Sequence, residues 1–360
     1  TPMRFGPVAT KDALGCVLAH SVALPQGRLR KGQVLDAADV AALNGARIEE
    51  VIVATLECDD VSENAAADLL ADALLAGSSG LDRSAAFTGR VNLIAAQAGV
   101  AVLDIAALDA VNGGDPMITV ATVPPHHQLR AGDLVATIKI ISYAVPQPAL
   151  DAAVRAARGA IRLAAPVLDR ASLIITEIPG GAGEKGRPAI EDRLSAFGVA
   201  LADVQVVPHR QDALCDAIKT AQTSLVLILT GSTTSDIEDV APSALVQAGG
   251  GITRFGMPVD PGNLLFLGTR GAQQVIGLPG CARSPALNGA DWVLSRVICG
   301  IEVSPRRWAW ADCSRRSRRG LNRAARGNIH VERQIFGSQR NVGVLNSFQQ
   351  NKSRSLGGHE

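Results

Sequence analysis

Aromatic residues are scarce in this 360-residue chain: Phe, Trp and Tyr make up 3% of it, with one Tyr against 36 Gly. That scarcity argues against an aromatic-rich β sandwich. A composition rich in Ala, Val, Leu and Gly, 47% hydrophobic overall, suits layered α/β architecture instead. The six cysteines, at positions 16, 58, 215, 281, 299 and 313, contain no C-x-x-C pair. This spacing argues against a zinc ribbon and fits reduced thiols in a cytoplasmic protein. No apolar run reaches the roughly 18 residues of a membrane span. The opening TPMRFGPVAT lacks the long apolar stretch of a secretory signal, so a cytoplasmic protein with no membrane partner is expected.

Charge is balanced only on average. Residues 301–360 hold 12 Lys+Arg against 4 Asp+Glu, which leaves 23 against 30 in residues 1–300. An acidic body with a basic tail invites a nucleic-acid reading. The tail, however, has no helical periodicity and no turn logic. An RNA-binding arm, a disordered extension and an out-of-frame translation of a GC-rich gene all fit it. The last two are preferred, so nucleic acid is not expected as a partner and the tail carries no functional weight.

Residues 1–80 read as a mixed α/β segment. Asp36-Ala-Ala-Asp39 looks like a capped helix start, RIEEVIVATL like a strand, and Asp60 to Leu75 like a helix capped by Ser62 or Asp60. Residues 81–150 read as β-rich, with strands in AAFTGRVNLIA, MITVATV and LVATIKIISYAV. Residues 151–170 are expected as a helical connector. Over 171–300 strands and helices alternate, which predicts an α/β domain with a doubly wound, mostly parallel sheet. LVLILT is apolar throughout, as a strand buried on both faces should be.

Ligands of such sheets bind beyond the carboxyl ends of the strands. Three glycine-rich loops are expected there: GGAGEKGR, GSTTSDIED and GLPGCARS. The second lacks the GK[ST] of a Walker A loop and the G-x-G-x-x-G of a dinucleotide site, yet its small hydroxyls and amides suit an anion. Asp236 and Asp239 repel phosphate on their own and make sense with a Mg²⁺ between carboxylate and phosphate. The bland alternative is that Asp236 caps a helix beginning near Ile237.

LILTGSTTSDIEDVAPSAL, RFGMPVDPGNLLFLG and VIGLPGCARSPALNG together resemble the molybdopterin-binding domain of molybdenum-cofactor biosynthesis proteins. That domain is shared by molybdopterin adenylyltransferases and molybdotransferases. The matching positions are Thr230 and Gly231, Asp236 and Asp239, Asp260-Pro261-Gly262, and Gly277-Leu278-Pro279-Gly280. ALGCVLAHSV and KGQVLDAADVAALNGARIEEVIV are similar to the leading segments of molybdotransferases. FTGRVNL and ATIKIISYAVP add similarity to a bacterial group of molybdopterin-binding proteins, some of them fused to a domain like molybdopterin cytidylyltransferase.

The resemblance implies a pterin-phosphate ligand, molybdopterin or a nucleotide-bearing form of it, held by Thr230, Gly231, Ser232, Thr233 and Thr234. It implies Asp236 and Asp239 as catalytic acids that bind Mg²⁺ or pterin nitrogens. Asp260, Pro261 and Gly262, with Pro279, Gly280, Cys281, Arg283 and Ser284, then line the opposite wall. It also implies a homodimer. Molybdate insertion or nucleotidyl transfer are the implied reactions. A non-catalytic carrier that delivers molybdopterin to a cytidylyltransferase-like partner is the alternative. Three departures favour the carrier: Ser232 replaces a second glycine, Asp260 replaces the lysine of a Lys-Pro-Gly-type turn, and Cys281 replaces an Asn.

Other residues have two readings each. Cys281 is a thiolate near the ligand or a small buried residue. Arg283, Lys185 and Arg187 are phosphate cations or solvated side chains. His126 and His127 are neighbours that point apart, and read as a turn pair. Thr88-Gly89-Arg90 and Asn92 form a tight turn or, on the resemblance, close over a neighbouring subunit's ligand.

Overall fold

The strand Leu225–Leu229 is buried at every residue, and its alternation explains why. Leu225, Leu227 and Leu229 face one apolar layer with Ile190 and Leu194 of helix Arg187–Ser195 and Val293 and Leu294 of helix Gly289–Ile298. Val226 and Ile228 face another with Leu214 and Ile218 of helix Gln211–Thr220 and Leu245 of helix Val240–Gln247. A strand covered on both faces has no polar side, hence its unbroken apolar run.

The structure, a computed structural model, describes residues 3–303. Around the central strand, Ala200–Pro208, Arg170–Glu177, Leu225–Leu229 and Gln273–Leu278 run parallel in that spatial order. Two antiparallel strands, Phe266–Arg270 and then Gly251–Phe255, complete one side. The sheet is thus a mostly parallel one with helices on both faces, as the α/β alternation predicts. The strand Gly251–Phe255 was not foreseen, because GITRF carries only two strongly apolar residues and follows a glycine run.

Before it lie two smaller assemblies. In the first, Arg4–Ala9 pairs antiparallel with Glu50–Thr55, and helix Ala37–Gly45 has the expected capped start, which the structure builds as a capping box of Asp36 and Asp39. In the second, helix Glu63–Leu74 packs on strands Arg90–Ala95 and Leu134–Ile140. Three expectations need correction there. Asp60–Ser62 is a strand that pairs with Ala144–Pro146. Neither expected cap forms, for Ser62 makes no side-chain cap bond and the Asp60 carboxylate accepts the Glu57 amide at 2.8 Å. The connector is helical only over Gln147–Ala157, since Ile161–Ala164 is a strand on Gly99–Leu103. The β-rich stretch also holds a helix, Ile105–Asn112, capped by Asp104. His126 and His127 stand in a turn, as read from sequence. The basic tail from residue 304 lies outside the described residues, and with it the three readings of that tail.

Candidate functional site

The three loops predicted as one edge do follow the carboxyl ends of three adjacent parallel strands, Arg170–Glu177, Leu225–Leu229 and Gln273–Leu278. Long-range hydrogen bonds then join them. The Arg283 guanidinium, in the third loop, donates to the Gly183 carbonyl of the first at 2.9 Å and to the Thr230 carbonyl of the second at 3.0 Å. Burial pushes its pKa below the usual guanidinium value, while the two carbonyls supply acceptors for the desolvated charge. Arg283 is therefore a staple between loops, which is neither of its two readings from sequence.

The loop after the central strand turns sharply. Its amide at Gly231 donates to Thr176 Oγ1 at 2.9 Å. A Cβ at Gly231 would sit 2.6 Å from the Thr176 carbonyl oxygen, so only glycine allows this approach. Thr230 and Thr234 are buried and adjacent, their hydroxyls 3.4 Å apart, and Thr230 Oγ1 donates to the Ser232 carbonyl at 2.6 Å. Both hydroxyls thus build the loop from inside. Ser232 and Thr233 are exposed. Among the described residues, the amides of Ser232, Thr233 and Thr234 donate to no protein acceptor.

The two acids separate in role. Asp239 is the N-cap of helix Val240–Gln247, with Oδ1 accepting from Val240 N at 2.7 Å and Oδ2 from Ser235 N at 3.0 Å. The cap expected at Asp236 is thus three residues later, because Ile237 and Glu238 form a turn and not helix. Asp236 Oδ1 accepts from Glu238 N at 2.8 Å, which leaves Oδ2 toward solvent. Both Asp239 oxygens thus accept backbone amides, which makes Asp239 a cap, while Asp236 keeps one oxygen without a backbone donor among the described residues. No group of three or more His, Cys, Asp or Glu side chains comes together among the described residues. Asp239→Ala is expected to lower stability by about 1 kcal/mol through the lost cap. Asp236→Ala, at an exposed turn, should stay within about 0.5 kcal/mol; urea unfolding of the two variants checks this.

The third loop is held by residues that sequence reading missed. Arg193, on helix Arg187–Ser195, reaches across to the third loop. It donates to the carbonyls of Ala282 at 2.9 Å, Ser284 at 2.9 Å and Ala286 at 3.1 Å. Its Nε pairs with Asp291 at 2.7 Å, with the two side chains only 8% and 7% exposed. Asp291 in turn closes a capping box with Asn288 at the start of helix Gly289–Ile298. The Asp260-Pro261-Gly262 turn abuts the same helix start, the Pro261 carbonyl accepting from Gly289 N at 3.0 Å. Arg193 and Asp291 thus tie the Ala282–Ser284 stretch to the helix start that the Asp260-Pro261-Gly262 turn abuts. Burial pushes the Cys281 thiol up, which keeps it protonated at neutral pH and favours the small-residue reading over a thiolate.

Among the candidate cations, Arg187 is tied to Glu191 at 2.8 Å and Glu184 at 3.3 Å. Lys185 is exposed and forms no ion pair among the described residues. Thr88-Gly89-Arg90 forms the turn of a hairpin-like bridge between Phe87 and Arg90, far along the chain from these loops.

Comparison with known proteins places the site in context. Residues 172–297 match the family model described as a probable molybdopterin binding domain. Residues 7–55 match a domain of unknown function. No curated protein matches the chain. Among solved structures, it is similar to the molybdopterin biosynthesis MoeA protein of Pyrococcus horikosii, at 14% identity and a TM-score of 0.30, covering 82% of this chain and 75% of that one. It is also similar to the molybdopterin biosynthesis enzyme MoaB of Thermus thermophilus, at 16% identity and a TM-score of 0.27, covering 37% of this chain and 98% of that one. No helix among the described residues is long and apolar enough to cross a membrane.

Proposed function

We propose, for a chain whose residues 172–297 are a probable molybdopterin binding domain, that the three-loop edge holds the phosphate end of molybdopterin or of a nucleotide-bearing form of it. The observation that carries the proposal is the run of amides at Ser232, Thr233 and Thr234, which donate to no protein acceptor among the described residues and lie on the loop leaving the central buried strand. Successive backbone N–H groups without protein acceptors can donate to an anion without any cationic side chain. Lys185, on the neighbouring loop, is the cation left to meet the phosphate. Asp236 is the residue that would hold a Mg²⁺ shared with that phosphate, and the ion would neutralise charge there. The wall stapled by Arg193 takes the rest of the ligand.

Binding without catalysis is the form the site favours. Transfer chemistry at a phosphate needs positive charge aimed at the developing transition state. Here Arg283 donates to two carbonyls and Arg187 is paired with two carboxylates, so neither guanidinium joins Lys185 and the Asp236 ion as a dedicated charge on the phosphate. A carrier that shields molybdopterin and hands it to a nucleotidyltransferase is consistent with that arrangement. Molybdate insertion and nucleotidyl transfer are the alternatives, with molybdate or a nucleotide as co-substrate.

The test uses protein purified from cells that make the cofactor. Denaturation and iodine oxidation convert released molybdopterin to a fluorescent pterin. The expected result is pterin in the wild type and at least a tenfold loss in Asp236→Ala and Lys185→Ala. Wild-type protein free of pterin under those conditions would overturn the binding reading. Turnover of ATP or CTP above blank with molybdopterin and Mg²⁺ would overturn the carrier form of it.

A further inference from the structure

The peptide unit between Thr230 and Gly231 is held at both poles. Its carbonyl accepts from Arg283 Nη2 at 3.0 Å and its N–H donates to Thr176 Oγ1 at 2.9 Å. This is the point where the chain leaves the central strand, so that peptide plane is the fixed base from which the three following amides extend. Thr176 is fully buried at the end of the neighbouring strand. Its Oγ1 also lies 2.7 Å from Nδ1 of His209. The backbone at His209 is held beside that strand, its N–H donating to the Glu177 carbonyl at 2.8 Å.

A hydroxyl has one proton, and Gly231 brings its own to the Thr176 oxygen. With Nδ1 of His209 bare, the Thr176 proton goes to it, the acceptor in reach among the described residues. That arrangement requires an imidazole protonated at Nε2 and bare at Nδ1. The chain Gly231 N–H to Thr176 O–H to His209 Nδ1 is then polarised in one direction, with each bond strengthening the next. We infer that Thr176 and His209 form a hydrogen-bond relay that positions the Gly231–Thr234 loop for its anionic ligand. Neither residue touches the ligand; both are positioning residues. The inference rests on the binding reading above for the ligand, while the relay itself rests only on the geometry.

Full-length protein labelled with ¹⁵N at histidine and glycine tests it. Long-range proton–nitrogen correlation should find Nδ1 of His209 as a bare, pyridine-type nitrogen in the wild type. Thr176→Val, which keeps the side-chain shape without the hydroxyl, should shift that nitrogen, speed exchange of the Gly231 amide about tenfold, and weaken binding of molybdopterin released anaerobically from a molybdoenzyme by about tenfold. Thr176→Ser should restore all three, as should His209→Asn for the last two, since Asn Oδ1 stands where Nδ1 stood. A protonated Nδ1 in the wild type, or Thr176→Val with unchanged exchange and affinity, would overturn the relay. Wild-type protein that binds no molybdopterin defeats the functional reading instead, and the ring nitrogen and Gly231 exchange still decide for or against the relay.

Discussion

Arg193→Met should lower the stability of the protein by about 3–5 kcal/mol, the largest loss expected from any single change near the site. The guanidinium is 8% exposed, pairs with Asp291 at 2.7 Å and holds four backbone carbonyls, three of them on the loop Ala282–Ala286. Removing it leaves a buried carboxylate without its countercharge and three carbonyls without donors, and each such loss carries a desolvation cost. Arg193→Lys should recover little, because one ammonium cannot reproduce a planar fork that serves both a carboxylate and a row of carbonyls. Adding Asp291→Asn to Arg193→Met should return part of the loss, since no uncompensated charge then remains. Urea unfolding of the four proteins reads this directly. A loss below about 1 kcal/mol for Arg193→Met would mean that the third loop holds its place without the arginine. Retained pterin should fall with stability in the single variant, because the loop that Arg193 holds is the wall of the proposed site.

Gly262→Ala is the second large effect, about 3 kcal/mol. Gly262 has φ +111°, a backbone region that side chains rarely adopt, and a Cβ there would lie 2.4 Å from Gly289 N and 2.7 Å from Gly289 Cα. Both obstacles are backbone, so no rotamer change relieves them. The variant must push the Asp260-Pro261-Gly262 turn away from the start of helix Gly289–Ile298, which breaks the bond from Gly289 N to the Pro261 carbonyl. Thermal unfolding measures the stability loss, and the iodine-oxidised pterin assay measures whether the displaced turn had contributed to retention. Gly271→Ala makes a useful contrast. That glycine also has positive φ, +57°, but a Cβ would meet nothing within 4 Å, so only the modest backbone strain applies.

Much of the fold was legible because its signals are local. Asp36 and Asp39 stand at capping-box spacing, and they do cap. The apolar run Leu225 to Leu229 announces a strand covered on both faces, and it lies between two apolar layers. Where local signals competed, reading failed. Asp60-Val-Ser62 precedes an Ala-rich run and looks like a helix start, but a partner strand at Ala144–Pro146, far along the chain, draws it into a sheet. Ile161–Ala164 likewise becomes a strand because Gly99–Leu103 offers an edge to pair with, an event that no window of sequence contains.

The candidate site divides in the same way. Sequence alone determined which three loops leave the carboxyl ends of parallel strands, and that Gly, Ser and Thr crowd the second of them, for these depend on strand–helix alternation and turn chemistry within a few residues. Tertiary structure decided which side chains are left for a ligand. That Arg283 staples the loops depends on Gly183, 100 residues earlier, and Thr230, 53 residues earlier, which supply two of its acceptors. Asp239 looks like a twin of Asp236 until the fold makes it the cap of helix Val240–Gln247, with a backbone amide on each oxygen. Arg193 looks like an ordinary helix arginine until the third loop folds onto it, 89 to 93 residues away. A polar group buried by folding must find a partner or lose the free energy of its hydration, and the chain segment that supplies that partner is set by topology and not by neighbours in sequence.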